Sequence, residues 1–406
     1  MRVIIVGAGI GGSALALGLQ KANVDYVLLE QAQALAEIGA GIQLSSNGVR
    51  ILDALGIGDE LAGFCVEPDA HHFSDWQTGE VYLRTPLRPQ VQQTFGFPYY
   101  HAHRADLLDA LSAKIDAERL HLGAQVTSVS QDDAGVTVQT ADGRSFKGDV
   151  LIGADGIHSM IREQVFKPDP PRRSGYVAWR GVVDTEDIRH LNIPRSSFIC
   201  MGPRLSCVYY YVSGAKKINW IAMGEAEGQK RESWSQKATA EEVLACFEGW
   251  HEQPLGLVRA TKQPFVTALH DRNPLDSWVS GRIAVMGDAA HAMLPYHAQG
   301  AVQSIEDGWV LARALEMGTD DPQAALQRYE MLRKDRADRM VIHSRNAERW
   351  YHYDDPSAVA ERNQRFRAYN DKYGDDFTPQ QMWLYSYDAE KAVCGTDEAW
   401  RALDPW

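Results

Sequence analysis

The stretch that most constrains this chain is its first thirty residues, MRVIIVGAGIGGSALALGLQKANVDYVLLE. Val3 to Val6 is an apolar run of the kind found in a parallel strand buried on both faces. It ends in Gly7-Ala8-Gly9-Ile10-Gly11-Gly12, an Ala/Leu-rich helical stretch follows, and a second apolar run closes at Glu30. The pattern predicts a strand–helix–strand unit with a glycine-rich first turn. Gly7 permits the tight turn, Gly9 keeps side-chain bulk away from an approaching pyrophosphate, and Gly12 lets helix and strand pack closely. N–H groups at the helix start then face the phosphates, where the helix dipole favours negative charge. Glu30, eighteen residues beyond Gly12, stands where an acid accepts hydrogen bonds from ribose hydroxyls. The unit reads as a dinucleotide cradle, and alone it does not distinguish FAD from a nicotinamide.

A chain of 406 residues holds two or three domains' worth of core, and 45% hydrophobic with 23% charged is the make-up of a folded globular protein. A net charge of -13 argues against nucleic acid as a partner, because neutralising phosphates takes clustered Lys and Arg. Cys65, Cys200, Cys207, Cys246 and Cys394 are odd in number and lack CxxC spacing, so they read as reduced thiols and no metal site is expected. No secretory leader opens the chain, and no apolar run reaches the roughly 18 residues of a membrane span. The expectation is a cytoplasmic protein without a membrane partner, monomeric or homodimeric.

Two later turns repeat the theme of the first. Val150 to Ile152 leads into Gly153-Ala154-Asp155-Gly156, and Arg282 to Met286 leads into Gly287-Asp288-Ala289-Ala290-His291. Acid-bearing turns at the carboxyl ends of strands are where an open α/β sheet binds its ligand. Between them lie β-branched and aromatic runs such as Tyr176 to Arg180, Cys207 to Tyr211 and Ile218 to Met223, broken by Gly and Pro, which predict a mostly antiparallel sheet. The predicted fold is α/β: a doubly wound, Rossmann-like dinucleotide-binding sheet (1–65, 101–171 and 276–350) interrupted by a mostly antiparallel β-sheet domain (66–100 and 172–275), which become the FAD-binding and substrate-binding domains under the resemblance described next. Helices run to about residue 350, and the tail 351–406 is aromatic and charged with little periodicity. Gly39-Ala40-Gly41 precedes an extended piece, Ile42-Gln43-Leu44, which passes close to a bound ring if the three turns share one ligand.

With GAGIGG and Glu30, GADG with Asp155, and GDAAH with Asp288 followed by Pro295 and Gln299-Gly300-Ala301, the chain resembles the single-component FAD-dependent aromatic hydroxylases, whose type member is p-hydroxybenzoate hydroxylase. The resemblance implies that Gly7, Gly9 and Gly12 hold the FAD pyrophosphate, Glu30 the adenosine ribose, Arg104 the diphosphate side and Asp288 the ribityl chain. It implies that Gly300 and Ala301 meet the flavin at a helix start and that Asp155 serves both FAD and nicotinamide. NADH or NADPH is then a co-substrate without a domain of its own. GAGI before Gln43, VYY at Val208 to Tyr210 and PxxAQGA at Pro295 to Ala301 lean toward salicylate, 3-hydroxybenzoate and 6-hydroxynicotinate hydroxylases.

The implied reaction uses NAD(P)H and O2 to hydroxylate a small hydroxylated aromatic acid, with or without loss of its carboxylate, through a flavin C4a-hydroperoxide. The protein must exclude water, orient the ring and help a phenol lose its proton. For the last task motif position nominates Tyr209, with Tyr296 and Gln43 as hydrogen-bond partners and Pro295 as a backbone carbonyl near the reacting carbon. His291 and His297 read as structural. The alternatives are a flavin oxidase or reductase on the same fold, or a non-catalytic FAD-binding module.

Overall fold

A computed structural model describes residues 1–35, 40–166, 169–225, 236–397, 400 and 402–403; Gly39 lies outside the described residues. One sheet has six strands in the order Val279–Ser280, Ile283–Val285, Val150–Gly153, Arg2–Val6, Asp25–Leu29 and Leu120–His121. Every pairing is parallel except that of the edge strand Val279–Ser280. The apolar run Val3 to Val6 is central and buried on both faces, as a continuous hydrophobic strand requires.

In register, Val6 stands beside Gly153 and Gly153 beside Val285. The three acid-bearing turns therefore leave the sheet at one edge, from three adjacent strands. Helix Ile10–Lys21 packs against helix Gly300–Met317 at glycine contacts. A Cβ on Gly18 would lie 2.7 Å from that of Ala312, and one on Gly308 would lie 2.8 Å from the Leu15 nitrogen. This close approach brings Gly300 and Ala301 toward the first turn, although nearly three hundred residues separate them in sequence.

The second sheet has eight strands in the order Gln236–Lys237, Phe265–Asp271, Arg172–Asp184, Lys217–Glu225, Leu205–Val212, Ser197–Gly202, Ala70–Asp75 and Val81–Pro86. Only Ala70–Asp75 and Ser197–Gly202 pair in parallel. Residues alternate between its faces. Trp179, Cys200, Tyr209 and Trp220 form a core with helix Glu252–Ala260, while Ala178, Ile199, Val208, Tyr210 and Met223 face Leu294 and Tyr296.

The region 66–100 is less uniformly extended than expected, since it also holds helix Gln90–Phe95. The tail is helical at Pro356–Tyr373, Pro379–Tyr385 and Ala389–Cys394. Among the described residues no helix is long and apolar enough to cross a membrane.

Candidate functional site

At the shared edge the glycines divide their work. Gly7 has φ +105°, and a Cβ there would meet the Ala154 carbonyl oxygen at 2.4 Å; one on Gly12 would meet the Gly7 carbonyl oxygen at 1.9 Å. Both are closed by packing. A Cβ on Gly9 would meet nothing within 4 Å, and one on Gly300 only Met293 Cγ at 3.9 Å, so both helix starts open onto free space. Glu30 sits at the same turn, its carboxylate accepting hydrogen bonds from the Ala8 and Ala32 N–H groups at 2.8 and 2.9 Å. Asp288 and Arg104 are both exposed. An open cradle with backbone N–H groups and an acid beside it fits a dinucleotide such as FAD.

Asp155 comes to this edge, but its carboxylate serves its own helix: it accepts from Ser159 Oγ at 2.6 Å and from the Ile161 N–H at 3.1 Å. Burial pushes its carboxyl above the usual carboxylate value, against the pull of these hydrogen bonds.

Beneath the third turn lies a buried charge network. Asp307 accepts from the Gly287 N–H at 2.9 Å, pairs with His291 Nε2 at 2.5 Å and takes Arg333 Nε at 2.8 Å. Glu306 binds Arg333, Arg336 through Nε and Nη2 at 2.9 and 3.0 Å, and Asn47 Nδ2 at 2.6 Å. Burial opposes ionisation of Asp307, yet His291 and Arg333 outweigh it and hold the carboxyl down at about 2. His291 is thus occupied as a structural partner of the turn, as the sequence suggested.

Between the site face of the large sheet and the C-terminal helices is a cavity of about 640 Å³, with Gln43, His71, Tyr99, Pro295 and Tyr296 at its inner end. Strand Gly41–Leu44 pairs with Tyr100–His103, which sets Gln43 opposite His101. Gln43 accepts from the Tyr99 hydroxyl at 2.7 Å and also hydrogen-bonds Tyr210. The Pro295 carbonyl accepts from the Ala298 N–H at 3.1 Å and closes the turn that carries Tyr296. Tyr296 is 6% exposed and its hydroxyl has no hydrogen-bond partner among the described residues. Its ring lines the cavity, while the hydroxyl itself is sealed from solvent on the side of Glu348, Tyr176 and Tyr351.

Burial raises the Tyr99, Tyr210 and Tyr296 phenols above their ordinary value. Burial, with His72 beside it, pulls His71 down to about 3, and burial pulls His297 down to about 4. At neutral pH this end of the cavity is therefore a set of uncharged hydrogen-bonding groups.

Tyr209 is a correction. It lies on the opposite face of the sheet, stacked on Phe198 at 5.0 Å and donating to Gln253 Oε1 at 2.7 Å, within the core under helix Glu252–Ala260. The run of three tyrosines is buried on both faces, so the pattern carried no period to say which ring faces inward. Tyr209→Phe is expected to cost about 1 kcal/mol of stability and to leave turnover and its pH profile unchanged, as urea unfolding and steady-state rates will show. Tyr210, one position on, takes its place near Gln43. His71 and Tyr99 had escaped notice because no motif contains them. The outer cavity wall, from helix Pro356–Tyr373, had escaped too, because its inward face is aromatic and charged and shows no apolar period.

The sequence family described as FAD binding domain matches residues 1–344. Over 386 residues the chain is 34% identical to the 3-amino-4-hydroxybenzoate 2-monooxygenase of Streptomyces cremeus, covering 95% of each chain. It is 35% identical over 356 residues to the 6-hydroxynicotinate 3-monooxygenase of Bordetella bronchiseptica, covering 84% of this chain and 89% of that one. Among solved structures, a salicylate hydroxylase in complex with its substrate matches with a TM-score of 0.83 at 29% identity, over 97% of both chains.

Proposed function

The chain belongs to the FAD-binding-domain family of FAD-dependent aromatic monooxygenases, and we propose that it hydroxylates a hydroxylated aromatic acid whose reacting ring is of the hydroxybenzoate or hydroxynicotinate kind. The observation that carries this reading is the aromatic-walled cavity, lined by Gln43, Tyr99 and Tyr296, at the turn Pro295–His297 that leads into the helix starting at Gly300. When bound, FAD supplies the oxygen-transfer chemistry, with NAD(P)H as reductant and O2 as oxidant.

Gly7, Gly9 and Gly12 shape the pyrophosphate turn, Glu30 receives the ribose, Arg104 faces the diphosphate, Asp288 the ribityl chain, and the start of the helix at Gly300 and Ala301 the flavin ring. The first helix and the flavin-facing helix both aim free N–H groups at their ligand, and a partial positive charge there suits an anionic reduced flavin. Asp155 holds the middle turn in shape. Five free cysteines support a reducing compartment, and with it the cytoplasm.

The chain's own part in the reaction is to seat the ring and to ease loss of the phenol proton. The Tyr99, Tyr210 and Tyr296 phenols and the His71 and His297 imidazoles are uncharged near neutrality, so none of them supplies a fixed charge for that task. Donors do: the Gln43–Tyr99 pair stabilises a developing phenolate by hydrogen bonds that strengthen as charge accumulates. Sheet residues Ile199, Val208 and Met223 line the cavity with apolar surface, which keeps those bonds in a low dielectric.

Gln43→Leu tests the reading. The expected result is a substrate Kd raised about tenfold, from loss of one hydrogen bond to a charge-bearing oxygen, and a pH profile of kcat displaced upward by about one unit. Visible-absorbance titration of the flavin and rates of NADH consumption across pH measure both. An unchanged Kd and profile would remove Gln43 from the site and leave the reading without its principal donor.

A further inference from the structure

A single-ring acid fills only part of this cavity. Its 640 Å³ lies in the middle of the range of roughly 300–1,000 Å³ that accommodates drug-sized ligands. Beyond the ring seat the wall is one stripe of helix Pro356–Tyr373, running from Ala358 to Tyr373 at three- and four-residue spacing. At 1.5 Å per residue that stripe spans about 22 Å, several times the length of a benzoate. Its middle is aromatic: the Phe366 ring lies 5.3 Å from Phe73 and 5.7 Å from Trp350, and all three line the cavity.

The stripe also carries charge. Arg362 is committed to the Trp350 carbonyl at 3.0 Å and to Asn363 at 3.1 Å. Glu361 and Arg365 both line the cavity without an ion pair between them, and Arg365 is exposed with no hydrogen-bond partner among the described residues. The outer wall is thus an aromatic slot with an uncommitted guanidinium and a net positive balance from its three charges.

We propose that this outer compartment receives a second ring of the substrate, whose far end carries an anion held by Arg365. Resting on the reading of the site as an aromatic hydroxylase, this narrows the substrate class to two-ring or aryl-extended hydroxy acids. The hydroxylated ring lies at Tyr296 and Gln43, and the second ring lies against Phe366. A guanidinium at the rim takes a carboxylate in bidentate fashion and draws the acid in, ring first.

The test uses the FAD-loaded enzyme and three probes: 4-hydroxybenzoate, 6-hydroxy-2-naphthoate and 2-naphthol, each titrated by the change in flavin absorbance and by stimulated NADH consumption. The two-ring acid is expected to bind at least about tenfold more tightly than the one-ring acid, the scale set by burying a further ring's apolar surface. Phe366→Trp, which fills the slot, is expected to reduce that ratio about tenfold. Arg365→Gln is expected to weaken the naphthoate about five- to tenfold with no loss of naphthol affinity. Flavin content and visible spectrum report that both variants are folded. Equal affinity for the one- and two-ring acids, or a ratio indifferent to both substitutions, overturns the proposal while stimulated turnover of hydroxybenzoate leaves the hydroxylase reading standing. If neither acid perturbs the flavin or stimulates NADH use, that reading falls and this one with it.

Discussion

Gly12→Ala is expected to yield protein without FAD and destabilised by more than about 3 kcal/mol, because the added methyl meets backbone and cannot be accommodated by a rotamer change. The Cβ would stand 1.9 Å from the Gly7 carbonyl oxygen, in the turn that Gly7 itself enters with φ +105°. Relief needs the first helix to move off the first strand, and that helix is also packed on the flavin-facing helix at Gly18 and Gly308. Gly9→Ala is the contrasting case. Its Cβ meets nothing, and Gly9 has φ −68°, which any residue adopts. The fold is therefore expected to keep its stability within about 0.5 kcal/mol, while FAD binding weakens at least tenfold because the methyl projects toward the pyrophosphate. Urea midpoints and the flavin absorbance retained on gel filtration separate the two outcomes. Equal loss of FAD with equal loss of stability in both variants would contradict this division of labour.

The second large effect is expected at Arg333, which is fully buried between Glu306 and Asp307. Arg333→Met removes one of two guanidinium partners from Glu306, and from Asp307 the Nε–H bond at 2.8 Å. Breaking one partner out of a buried ion cluster costs about 3 to 5 kcal/mol, since the carboxylates left behind remain desolvated. The sign of the pH dependence follows from Asp307. Its folded-state value, about 2, lies below the ordinary 3.8, so its contribution is complete above the ordinary value and is lost as pH falls through about 2. Wild-type stability should therefore decline from about pH 4 downward, and Arg333→Met should flatten that decline. Urea unfolding at pH 7, 4 and 3 measures it. FAD affinity should fall with stability, because the Gly287 turn hangs from Asp307 by its N–H.

The fold was legible where chemistry restricts residue choice. Turns that bring backbone to a ligand need glycine, and strands buried on both faces need unbroken apolar runs, so the first strand, its turn and Glu30 could be placed from the sequence alone. The convergence of the three turns was legible because adjacent parallel strands end at one edge. The inward-facing tyrosine was not, since in a strand buried on both sides one residue of register exchanges the faces. The tail carried ordinary helix-start signals, Asp355-Pro356 and Thr378-Pro379 with Gln381 completing a capping box. They were overlooked for want of an apolar period. That lack has a physical cause: the inward face of helix Pro356–Tyr373 looks onto a cavity, where arginine and tyrosine are as much at home as leucine in a core. His71 and the Gln43–Tyr99 pair belong to no local motif, and only the pairing of Gly41–Leu44 with Tyr100–His103 and the packing of both on the large sheet bring them together.

The most direct measurement of the central claim is the mass of the product formed from the best-binding aromatic acid, with NADH and FAD-loaded enzyme, under oxygen-18 gas. Three turns that would gather around FAD beside an aromatic-walled cavity predict one labelled oxygen in the product, a gain of about 18 mass units over the acid, or a labelled hydroxyl in place of the carboxylate if decarboxylation accompanies it. NADH consumed with the acid unchanged and all the label recovered in peroxide would contradict it.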